Sequence, residues 1–173
     1  MTALALILVA LTAVVGAIAG RLSAHGLLGA ALAAVTALAT AGAALAALAA
    51  PPVHGAALAA TYVTAVVAAA TGGAPMVLAA FRFARRQPDA GAGTNDGGPL
   101  RGGRVIGLLE RTAVVVSILA GWPEGIAVVL AVKGLARYPE LREPHASEQF
   151  IIGTFTSVLW AVAVAGVGQA LIG

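Results

Sequence analysis

The charged side chains of this sequence sit at the ends of long apolar runs, and a membrane topology exists that places all ten Lys and Arg on one side. A hydrocarbon layer demands about 20 consecutive apolar residues per spanning helix and penalises each charge placed inside it. Of 173 residues, 60% are hydrophobic and 10% charged, where a soluble domain carries roughly 25% charged residues. The mean hydropathy of +0.97 agrees. These numbers define an all-α, polytopic transmembrane helical protein. The pI near 10.2 does not argue for nucleic-acid binding, because the net charge is only +3 and the basic residues lie at segment ends, as topology requires.

Six spans are expected. The first covers about residues 2–20 and ends at Arg21; it has no basic flank before it and reads as a retained helix, not a cleaved signal. The second covers 27–50 and is closed by Pro51 and Pro52. The third starts near residue 56 and runs towards 81, interrupted by Thr71, Gly72, Gly73, Ala74 and Pro75. A polar, Gly-, Asp- and Pro-rich stretch, 87–103, reads as a flexible linker. It separates an Ala-rich N-terminal membrane region, 1–86, from a C-terminal membrane domain, 104–173. The fourth span covers 105–121, turns at Trp122, Pro123 and Glu124, and returns as a fifth to about 136; the sixth covers 150–172. The fourth and fifth are short, since 17 residues rise only about 25 Å, and so form either a thin transmembrane hairpin or a re-entrant one.

Placing the segment 82–104 in the cytoplasm puts Arg82, Arg85, Arg86, Arg101 and Arg104 inside, and Arg21, Lys133, Arg137 and Arg142 at or near the same face. Glu124 and His54 remain outside, as do both termini: N-out, C-out, in the inner membrane of a cell.

Candidate chemistry concentrates in the second half. In an antiparallel hairpin turning near Trp122, Glu110 lies level with Lys133; Arg111 is its neighbour, Arg137 shares a helix face with Lys133 at i, i+4, and Glu148 stands at the mouth of the sixth span. Charges inside a membrane have partners or face water. This cluster is read as a structural ion-pair lock, as an anion or lipid-phosphate site built on Arg111, Lys133 and Arg137, or as a proton relay through Glu110. Small residues recur every fourth position in the sixth span, at Gly153, Ser157, Ala161 and Ala165 before Gln169, and in shorter runs at Ala113, Ser117 and Gly121 and at Thr12, Gly16 and Gly20. Such faces let helix backbones approach closely. The break at 71–75 is either an unwound substrate-facing segment or, the preferred reading, the point where Pro75 opens a separate basic interfacial helix.

His25, His54 and His145 fit no metal-ligand spacing, and the absence of cysteine removes thiolate catalysis and Cys-ligated metals. No nucleotide loop, nucleophile elbow or zinc-protease motif is present, so no catalytic, cofactor or metal residue is assigned. Glu124 and His54 on the outer face are two loosely placed groups, not a mechanism.

The run from Gly103 to Arg111 (GRVIGLLER), the segment from Ala131 to Tyr138 (AVKGLARY) and the segment from Glu148 to Ser157 (EQFIIGTFTS) resemble, in order, three motifs of a bacterial membrane-protein domain family of unknown function. The pattern is G-x-x-I-G-x-L-E-R, A-x-K-S-I-x-R-F and E-Y-x-I-I-G-T-x-x-S, with Gly134 standing where the family carries Ser. The resemblance covers about 104–157 and singles out Glu110, Arg111, Lys133, Arg137, Glu148 and the stripe from Gly153 to Ser157. It implies a membrane domain and no reaction. The expected role is a non-enzymatic subunit or scaffold, in contact with membrane lipids and with a membrane-protein partner or a second copy; the alternative is a small transporter or anion- or anionic-lipid-binding protein.

Overall fold

The computed structural model describes residues 1–22, 26–86 and 103–173. All regular structure among them is helical: α1 (Thr2–Leu22), α2 (Gly26–Leu48), α3 (Ala56–Ala84), α4 (Gly103–Leu119), α5 (Gly125–Arg137) and α6 (Pro144–Ile172), with a single 3-10 turn (Glu140–Arg142) before α6. Ala and Leu, the strongest helix formers, dominate the early helices. In hydrocarbon a helix also satisfies its own backbone polar groups, which an open strand does not. Pro51 and Pro52 follow the end of α2, and Pro144 occupies the first turn of α6, where its missing N–H is not needed.

Four helices are long and apolar enough to cross a membrane: α1, α2 from Leu27, α3, and α6 from Ala146. At 17 and 13 residues, α4 and α5 fall short of that length. Of the six expected spans, four are thus helices long enough to cross, and the fourth and fifth form a shorter hairpin. The linker expectation falls outside the described residues, except that Gly103 opens α4; Arg101 and His25 fall outside them too.

Neighbour contacts fix the arrangement. α1 and α2 are antiparallel, with Thr12 Oγ1 3.2 Å from Thr40 Oγ1. α3 and α6 are also antiparallel: Trp160 Nε1 donates to the Ala69 carbonyl at 3.2 Å, and below α3 the Val53 N–H donates to the Leu171 carbonyl at 2.9 Å. At the opposite end Arg104 Nη1 donates to the Gly20 carbonyl at 3.0 Å, tying the start of α4 to the end of α1. α3 touches α1, α2, α4 and α6 and is the centre of the bundle. Arg21, Arg82, Arg85, Arg86, Arg104 and Arg142 consequently gather at one end, while His54 and Glu124 sit at the other.

The packing is inside-out relative to a soluble protein. Among the described residues, fourteen of the twenty-two buried hydrophobic side chains are Ala and one is Leu, whereas Leu4, Ile7, Leu11, Val14 and Ile18 of α1 and Ile151, Phe155 and Leu159 of α6 face outward. Small residues bring helices together where lipid removes any drive to hide bulk.

One expectation is corrected here. The stretch 71–75 neither unwinds nor begins a new element: α3 is a single 29-residue helix with Pro75 inside it. A helix tolerates an internal proline in a membrane when neighbouring helices satisfy the freed backbone, and here three of them pack against this stretch.

Candidate functional site

The glycines of α3 form a slot. A Cβ on Gly72 would overlap the Trp160 ring of α6, and one on Gly73 would overlap the Arg111 side chain of α4. From α1, Gly16 meets the same stretch so closely that a Cβ there would stand 2.6 Å from Gly72 Cα. Thr71 Oγ1 reinforces this crossing, its single O–H shared between the Ala13 carbonyl of α1 at 3.0 Å and the Val67 carbonyl of its own helix at 2.8 Å. The residues that read as a helix break are thus the meeting point of α1, α3, α4 and α6.

Arg111 fills the slot. It is only 6% exposed, and its guanidinium donates to the Ala70 carbonyl from Nε at 3.0 Å and from Nη2 at 2.6 Å, and to Ser157 Oγ from Nη1 at 3.3 Å. Ala70 and Ser157 lie near the midpoints of α3 and α6, so the cation sits at the depth of the bundle centre. With two lone pairs, the one carbonyl oxygen accepts both arms of the fork.

Glu110 points elsewhere. Its Oε2 meets Lys133 Nζ of α5 at 2.5 Å, with the side chains 13% and 19% exposed, and Lys133 Nζ also lies 5.7 Å from the centre of the Phe150 ring. The hairpin places the two residues level because α4 ends in a tight reversal. Gly121 adopts φ +73°, a left-handed conformation that glycine takes without strain, and the Trp122 and Gly121 N–H groups donate to the Ser117 and Ile118 carbonyls. Gly125 then packs on Ser117, where a Cβ would stand 2.5 Å from Oγ.

The remaining candidates are placed as follows. Arg137 is half-buried in the last turn of α5, and Glu148 is exposed early in α6. Gly153 packs on Phe81, and Ser157, Ala161 and Ala165 are buried along the inner face of α6, so this stripe is occupied within the chain. Of the shorter stripes, Thr12 and Gly16 are in contact with α2 and α3, while Gly20 borders open space. His54 and Glu124 are both exposed, with no hydrogen bond or ion pair joining them. Sequence reasoning did not single out Trp160, Ala70 or Thr154. Trp160 is large and polar-tipped beside a stripe of small residues, which is a usable signal; a backbone carbonyl acting as a cation's partner leaves none.

No protein-family model, curated protein or solved structure matches this chain.

Proposed function

We propose that the chain is a multi-pass inner-membrane protein of bacterial type, with both termini outside and its basic end in the cytoplasm, acting as a non-enzymatic subunit or scaffold of a membrane assembly. The observation that carries this reading is the Arg111 clamp: a side chain able to do chemistry instead ties α3, α4 and α6 together through Ala70 and Ser157. Glu110 and Lys133 hold the α4–α5 hairpin closed in the same way. The resemblance of 104–157 to a membrane domain without assigned activity is consistent with it. The hairpin, whose α5 presents Val128, Val132 and Leu135 outward, is the element added to a four-span frame.

The experiment is purification of the tagged full-length protein in a gentle detergent, with mass spectrometry of bound protein and lipid. A stoichiometric protein partner or a defined homo-oligomer is the expected result; a monomer with no bound protein overturns the subunit reading. A second reading has its own support. Arg21, Arg85, Arg86, Arg104 and Arg142 are exposed at one end together with Phe83 and Tyr138, a basic and aromatic rim suited to anionic headgroups. A monomer that retains anionic lipid and loses it on Arg85→Ala/Arg86→Ala favours that reading.

A further inference from the structure

Arg111 shares its one nearby carboxylate: Glu110 acts on it across space but is held in direct contact by Lys133. Among the described residues the salt bridge at this depth joins Glu110 to Lys133, and no carboxylate lies within ion-pair distance of Arg111. One carboxylate against two cations leaves one positive charge in the middle of the bundle. Such a charge is costly in hydrocarbon, and neutral acceptors reduce that cost without cancelling the charge.

The donors are also incompletely used. A guanidinium has five N–H groups; three serve Ala70 and Ser157, which leaves one on each Nη. One turn from Ser157 towards the basic end, on the same face of α6 and with its Cβ about 5–6 Å away, stands Thr154. This residue is 4% exposed and its hydroxyl has no hydrogen-bond partner.

Space opens beside the guanidinium on α4. Among the described residues, the atoms nearest a Cβ built on Gly107 are those of Arg111, with Nη1 at 3.1 Å, and one built on Gly103 would meet nothing within 4 Å. Gly103, Gly107 and Arg111 follow at i, i+4 and i+8, so two glycines precede the guanidinium along this line of α4, flanked by Arg104 and Leu108.

We propose that Arg111, Thr154 and Ser157 form an internal site for a single small inorganic monoanion of halide size, reached from the basic end along Gly103 and Gly107. The anion supplies the missing negative charge and accepts from the free Nη N–H groups and the Thr154 hydroxyl.

The test is thermal unfolding of the purified full-length protein, followed by tryptophan fluorescence, with sodium chloride exchanged for sodium gluconate at constant ionic strength. Chloride is expected to raise Tm saturably, by roughly 5 °C or more at a hundredfold excess over Kd. Gly107→Ala, which fills the opening, and Thr154→Val, which removes the hydroxyl at nearly constant volume, are expected to fold in gluconate and to lose the chloride-dependent rise. A wild-type Tm indifferent to chloride overturns the proposal, as does an equal rise in all three proteins. Stabilisation by phosphatidylglycerol vesicles without any by chloride likewise overturns it and assigns the charge to a headgroup.

Discussion

At the scale of single residues, the glycines separate into those that hold a neighbour and those that do not. Gly73→Ala drives a methyl into the Arg111 side chain, and a core that must shift by a methyl loses about 1–3 kcal/mol. Gly20, in a helix and facing open space, predicts the opposite: Gly20→Ala is neutral or stabilising by up to about 1 kcal/mol. Thermal unfolding in detergent separates the two. For the ion pair, a double-mutant cycle of Glu110→Gln and Lys133→Met is expected to return a coupling of about 0.5–3 kcal/mol; independent effects would mean that the contact contributes nothing. The proximity of Glu110 and Lys133 was legible because residues equidistant from a tight turn must face each other in a hairpin. The partners of Arg111 were not legible. A backbone carbonyl forty-one positions away has no side-chain signature, and only the close approach of α3 brings it within reach.

At the scale of elements, α3 owes its character to what packs on it. Two adjacent glycines and a proline have two meanings in a membrane helix: backbone released for a substrate, or backbone exposed for neighbouring helices to touch. Local sequence does not distinguish them, because the difference lies in Gly16, Arg111 and Trp160, all remote from positions 71–75 along the chain. The crossing of α1 on α3 is the strictest of these contacts, being backbone against backbone. Gly16→Ala cannot be absorbed by rotating a side chain and must push the helices apart. It is expected to lower Tm and to increase protease sensitivity more than Gly20→Ala on the same helix; equal behaviour of the two variants would refute the contact. The inward face of α6 was readable for the converse reason: small residues at strict four-residue spacing, with Phe155 and Leu159 on the outer side, specify which face meets protein.

At the scale of the whole molecule, the charge asymmetry makes a topological prediction. The chain contains no cysteine, so single cysteines report location without background. In intact cells, a membrane-impermeant maleimide is expected to label His54→Cys and Glu124→Cys from outside and to reach Arg85→Cys only after permeabilisation. Labelling of Glu124→Cys from inside only would place the hairpin tip on the basic side and overturn the proposed orientation. The four long apolar helices were legible throughout, since they rest on composition and run length. The span count was less so, because 17 and 13 residues sit below the length at which hydropathy alone decides.

The glycine slot of α3 also imposes a chronology. A ribosome makes α1, α2 and α3 first, and of the three helices that fill the slot only α1 exists when residue 86 leaves the tunnel. Until residues 111 and 160 have been synthesised, the Ala69 and Ala70 carbonyls lack the side-chain donors that later reach them, and the thinned side of α3 is uncovered. The helices that fill the slot of α3 therefore come on both sides of it in the chain, and the last helix made closes the structure that the third one began.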